Sequence, residues 1–247
     1  GGAAGMVGAI IAGPRLGRFK PIRGKGTPDV DAGKGSKTTY ESVVENFKRK
    51  DWDMVRINQF ARSYSTRLSD GSVEAANSPS QAVFGTLILW LGWLMFNSGS
   101  SHGVVGAKGD VASLVVVNTI LAPSAGGIVT FVLLFRRFIV EDKGVRMDFQ
   151  ALTNGILAGL VSITASCAIV ELWSAIIIGA VGALFFVAAD KIVTRMMHCD
   201  DPLQAFAVHG ASGIWGGLAV GIFGAKWSTH PGGWEQFASQ VIGLLVI

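Results

Sequence analysis

Residues 200–224 read DDPLQAFAVHGASGIWGGLAVGIFG. Two acids and a proline lead into a run, Leu203 to Gly224, that holds no Lys, Arg, Asp or Glu. A helix needs roughly 17–25 predominantly apolar residues to cross the hydrocarbon layer, and this run has that length. Asp200-Asp201-Pro202 predicts the helix start: an acidic cap, a second acid at the positive end of the dipole, and a proline in the first turn, where its missing N–H does no harm. Gly213, Gly217 and Gly221 recur every four residues on one face, with Gly210 and Gly216 nearby, so a neighbouring backbone can approach closely and the plain reading of that face is helix packing. His209 falls about eight residues in from the cap. At about 12 Å of rise, that is near the middle of the layer.

Working outward, comparable apolar runs extend from Gln81 to Phe96 (reaching Ser100), Val111 to Phe135, Phe149 to Val170 and Trp173 to Val193. Gly1 to Gly13 and Phe237 to Ile247 are apolar too and reach the ends of the sequence, so the chain reads as part of a longer protein. Half of the 247 residues are hydrophobic, 15% are charged and 33 are glycine, with a mean hydropathy of +0.46. An ordinary soluble domain is excluded, and the expected fold is all-α, a polytopic transmembrane helix bundle in which glycine lets helices come close. No signal peptide is recognisable.

Charge supplies an orientation. Thirteen Lys and Arg residues lie between Arg15 and Arg67, Arg136, Arg137, Lys143 and Arg146 follow the second complete span, and Lys191 and Arg195 end the fourth. If each run crosses once, these connections share one side and only Lys108 and Lys226 remain on the other. Basic residues resist translocation, so the rich side is cytoplasmic, or its organellar equivalent. The protein is expected to be an integral, multi-pass membrane protein, of the plasma membrane first and an organellar membrane second. The chain divides into three regions: 1–19, the end of a membrane helix; 20–80, a long basic loop on the cytoplasmic side; and 81–247, the membrane bundle. Within the loop, KRKDWDMVRINQFARS mixes basic and apolar residues as an interfacial or partner-docking amphipathic helix would, and equally as a solvated loop with one marginal helix would.

An ionisable group at membrane depth normally faces a protein interior or a pathway. A neutral imidazole gives one hydrogen bond and accepts another, which suits His209 to proton relay or to recognising a small polar solute. No metal site is expected, because His102, His198 and His230 make no ligand spacing with His209. Cys167 and Cys199 read as isolated structural thiols. No Ser or Cys stands beside His209 with an acid to orient it, so no enzymatic activity is expected; no cofactor and no nucleic-acid partner are expected either.

The motifs, taken in order, resemble the ammonium transporter family, which includes methylammonium permeases and Rhesus glycoproteins. They are GGAAGMVGAIIAGPRLGRF at the start, FGTLILWLGWLMFNSGSS from Phe84, VVVNT from Val115, NGILAGLVSITASC from Asn154 and DDPLQAFAVHGASGIWGGLAVGIFG from Asp200. The resemblance implies a bundle of about eleven helices, usually a trimer with one pore per subunit, of which this chain runs from the end of the fifth helix to the start of the eleventh. It implies that His209 is the second of twin pore histidines, that Phe96 is one of the phenylalanines closing the outer mouth, and that Ser100, with Trp93 in the same motif, helps hold ammonium outside that gate. Taken alone, Phe96 and Trp93 read as helix packing. The implied activity is passage of ammonium as ammonia through an apolar pore, since the bare cation would face a cost of several kcal/mol there.

The chain also departs from the family pattern. The first histidine of the pair would lie three residues before Gly1, in the N-terminal half of the fold that this chain lacks. Gln204 stands where relatives commonly carry an acid, no proline follows Glu171, and the 20–80 loop is long. These departures motivate the alternative of a degenerate, non-transporting member serving as a structural or partner-binding subunit of a larger membrane complex.

Overall fold

The structure, a computed structural model, describes residues 2–12, 78–141, 149–197, 199 and 201–246, with the side chains of 134–141 set apart. The expected loop over 20–80 and its amphipathic stretch lie outside the described residues, except for its last three positions. The described elements are α1 (Gly2–Ala12), α2 (Pro79–Gly99), α3 (Ala107–Glu141), α4 (Phe149–Thr164) and α5 (Leu172–Lys191), the last continuing as a π-helix over Ile192–Met196. A second π-helix, Phe206–Ala211, runs directly into α6 (Ser212–Phe223), and α7 (Trp234–Val246) comes last. Among the described residues there is no strand. Among the described residues, four stretches are long and apolar enough to cross a membrane: Pro79–Gly99, Ala107–Leu133, Leu172–Met196 and Phe206–Phe223. The all-α, polytopic expectation therefore holds.

The bundle closes around α3, which packs mainly on α5 and α4, while α7 lies against α6 and α1 against the π-helix that precedes α6. Glycine makes the central crossings possible. A Cβ at Gly159 of α4 would sit 2.7 Å from both the Ala122 carbonyl oxygen and Pro123 Cα, and one at Gly179 of α5 would run into the Ala122 carbonyl. Around this grip Val115, Ala122, Ile163, Cys167, Val170, Ala175, Ile178 and Ala219 form a buried apolar cluster. Trp215 ties α6 to α5, its Nε1 donating to the Ile178 carbonyl at 2.9 Å and its ring stacking on Phe185.

Pro123 lies inside α3. Having no N–H, it leaves the carbonyl four residues earlier, that of Thr119, without its helical donor. Trp90 of α2 supplies the donor from its Nε1 at 3.1 Å, and Asn97 Nδ2 donates to the Thr119 hydroxyl, also at 3.1 Å. One proline thus creates the attachment point of a neighbouring helix.

Several boundaries differ from expectation for identifiable reasons. Ser78 caps α2, accepting from the Gln81 N–H, with Pro79 at the first turn, so the helix begins at 79 rather than 81. The run expected to continue to Val170 stops being helical at Thr164. Asn118 of α3 takes up the carbonyls released there, donating through Nδ2 to Cys167 O at 2.9 Å and Val170 O at 3.1 Å. The helix expected to start at Pro202 starts later. Asp201 to Gln204 is a turn closed by Gln204 N–H to Asp201 O, and Gln204 has a φ of 55°. Asp201 still caps, but its carboxylate accepts from the Phe206 N–H at 2.8 Å. The acid is a cap, as its position before an apolar run suggests, yet the helix it serves begins farther along the chain because three residues of turn intervene.

Candidate functional site

The residues singled out in the sequence fall into two groups. Trp93, Phe96 and Ser100 lie at or just beyond the C-terminal end of α2, with the spacing i, i+3, i+7 that puts them on one helix face. Trp93 Nε1 donates to Thr164 Oγ1 at 2.8 Å, which fixes its ring against the last turn of α4. Phe96 is two-thirds exposed. The Ser100 hydroxyl donates to the Phe96 carbonyl at 2.8 Å, so its proton is committed and its lone pairs face outward as acceptors.

His209 sits in the other group, on the π-helix Phe206–Ala211, with its side chain exposed. Counted from the observed helix start it is about 5 Å in, not 12 Å. The N-terminal end of α1 abuts it: a Cβ on Gly2 would run into Gly210 N and lie 2.9 Å from the His209 carbonyl carbon.

No described hydrogen bond joins the two groups directly, but α4 touches both. Thr164 holds Trp93, and two residues earlier Ser162 Oγ reaches the Ser212 carbonyl at 3.3 Å, three residues beyond His209. By helical rise, roughly 8 Å separates the level of His209 from that of Trp93, and about 10 Å more leads to Ser100.

The glycine face is uneven. A Cβ at Gly213 would meet only Val161 Cγ1 at 3.8 Å, and at Gly217 only the flexible Leu244 side chain at 3.4 Å. At Gly221 it would run into the Phe237 backbone of α7, and at Gly216, off the four-residue repeat, it would sit 2.7 Å from the Ser162 carbonyl oxygen. The tight contacts are therefore at Gly216 and Gly221, because α4 and α7 approach α6 from different sides.

Sequence reading also missed a polar cluster centred on Gln204. Asn154 Nδ2 donates to Gln204 Oε1 at 2.8 Å, and Gln204 Nε2 donates to Asp190 Oδ1 at 2.7 Å, while Gln150 Nε2 holds the Pro202 carbonyl at 2.8 Å. The Gln204 amide accepts from Asn154 and donates to Asp190 at once, whereas an ionised acid at 204 would face a second carboxylate and have no proton to give it. The signal available in the sequence was the departure at Gln204 itself. Among the described residues no three of His, Cys, Asp or Glu gather as metal ligands would.

The family model of the Ammonium Transporter Family matches residues 65–247, most of the chain. The chain belongs to the ammonium transporter family. It is 35% identical to ammonium transporter Amt2 of Archaeoglobus fulgidus, covering 72% of this chain and 39% of that one. It is 30% identical to ammonium transporter 1 member 3 of Solanum lycopersicum, covering all of this chain and 48% of the relative. Among solved structures, a sensor Amt protein superposes with a TM-score of 0.61 at 32% identity, over 72% of this chain and 42% of that one. Saccharomyces cerevisiae Mep2 superposes at 0.59 and 29% identity, over 68% and 39%. The chain thus spans less than half the length of each of these relatives.

Proposed function

We propose that this chain forms the second part of an ammonium-conducting pore, with His209 lining the pathway and Trp93, Phe96 and Ser100 forming the outer recognition site. The observation that carries the reading is the junction of α1 with the His209 turn. Resemblance puts the first histidine of the family pair three residues before Gly1, which is four residues from Gly2. Four residues is one helical turn on the same face, and Gly2 is the residue that abuts Gly210 and the His209 backbone. A histidine there would approach the exposed ring of His209.

The outer group suits a cation. Ser100 offers acceptor lone pairs, and the faces of Phe96 and Trp93 attract a positive charge through the ring quadrupole. Beyond them the path is lined by helices whose apolar interior admits neutral ammonia far more readily than the ion. Ammonium therefore passes its proton to water at the outer mouth, leaving hydronium outside, and imidazoles that can both donate and accept accompany the neutral ammonia through the interior. The functional unit includes the preceding helices and is a homotrimer in a lipid bilayer, most naturally the plasma membrane.

The test is growth of a transporter-deficient yeast on low ammonium when the complete protein is expressed. Growth that is restored, and lost with His209→Ala, supports the pore. Growth restored equally by the His209→Ala protein at matched expression overturns the role of His209, and no growth with either protein favours the non-transporting subunit.

A further inference from the structure

We infer that Ser212 is a positioning residue that sets the direction of His209 by holding the π-helical turn Phe206–Ala211 open; its importance for transport rests on the pathway reading above. Serines in helices commonly turn their hydroxyl back onto the carbonyl three or four residues earlier. Ser98, Ser113, Ser124, Ser162 and Ser239 all donate to the carbonyl four residues back, over 2.6 to 2.9 Å. Ser212 differs. Its Oγ lies 3.3 Å from the carbonyl of Ala207, five residues back, and 3.3 Å from that of Gly182 on α5. One proton is shared between a carbonyl inside the wide turn and a carbonyl on the neighbouring helix.

The surroundings fit this clamp. Ser212 and Ser162 are fully buried. Ser162 Oγ, whose proton goes mainly to the Ala158 carbonyl at 2.7 Å, also lies 3.3 Å from the Ser212 carbonyl. A Cβ at Gly182 would run into the Ser162 hydroxyl, so α5 can come this close only as glycine. With water excluded, these polar atoms have only one another as partners. A π-turn holds one residue more per hydrogen-bonded ring than an α-turn. If the stretch closed to an α-helix while α6 stayed anchored, residues before Ser212 would slip by one position, and the His209 side chain would swing by about 100°. His209 is exposed while Val208 and Ala207 before it are buried, so the slip would carry residue 209 into a buried position and bring residue 210 to the exposed one.

The slip can be read without reference to transport. In the complete protein, with Cys167 and Cys199 replaced by Ala, single cysteines at 208, 209 and 210 are labelled with methyl methanethiosulfonate. With Ser212 present, position 209 reacts fastest. With Ser212→Ala its rate falls tenfold or more and that of an adjacent position rises, while Ser212→Thr, which keeps the hydroxyl, retains the original order. If Ser212→Ala does not reach the membrane, Ser212→Gly removes the same hydroxyl from a site already crowded. An unchanged order, or a uniform rise at all three positions, overturns the inference. Ser212→Ala on the otherwise unmodified chain should also lower maximal methylammonium uptake per molecule while half-saturation stays within twofold. A shifted labelling order with unchanged uptake would overturn the pathway reading and leave the inference standing.

Discussion

Pro123 and Trp90 make a four-way comparison whose sign is fixed by the backbone. Trp90→Phe removes the donor that reaches the Thr119 carbonyl from outside α3, while Pro123 denies that carbonyl its helical partner. A buried carbonyl left unpaired costs about 1–3 kcal/mol, and interhelical hydrogen bonds within membranes average about 0.6 with a maximum near 1.7. In the natural background Trp90→Phe should therefore cost about 1–2 kcal/mol. With Pro123→Ala in place, the new N–H can bond Thr119 within the helix, and the same substitution should cost less than about 0.5 kcal/mol. Loss of indole packing is common to both backgrounds and cancels, leaving a coupling of about 1 kcal/mol. For a domain of this size that is roughly 2–4 °C in Tm, measurable by thermal unfolding of the four purified variants in detergent. Equal shifts for Trp90→Phe in both backgrounds would refute the claim that the proline creates the docking point of α2.

Two other sites give quick comparisons. Gln204→Glu puts a carboxylate against Asp190 and should lower Tm at neutral pH by several degrees, and adding Asp190→Asn should recover most of it; no loss on the first substitution would show that the bridge to Asp190 has no energetic role. On α6, Gly213→Ala should leave Tm unchanged or slightly raised, whereas Gly221→Ala, meeting the Phe237 backbone, should cost about 1–3 kcal/mol; equal effects at the two positions would contradict the packing described.

The helices were legible because charge-free apolar runs of this length have few alternatives, and the five ordered motifs pointed to the family. Their ends were less legible. Nothing local in the sequence says that Asn118 will take up the carbonyls of Cys167 and Val170 and let α4 stop at Thr164. Nor does Asp200-Asp201-Pro202 reveal that the carboxylate of Asp201 reaches across a turn to Phe206. In the candidate site, Trp93, Phe96, Ser100 and His209 are proposed from motifs alone, while the bond from Trp93 to Thr164 joins residues 71 apart in sequence. The π-helix under His209 leaves no periodic trace over six residues, so Ser212 reads as one more small residue until the carbonyl it reaches is known. The four-residue glycine repeat pointed at one face, whereas the close contacts depend on where α4 and α7 cross α6.

The central claim, that His209 lines the path of ammonia, is tested most directly by uptake of labelled methylammonium per molecule of the complete protein in a transporter-deficient cell, with and without His209→Ala at equal surface expression. A fall of tenfold or more is expected, with unchanged Tm. Uptake within twofold of the unsubstituted protein would contradict it.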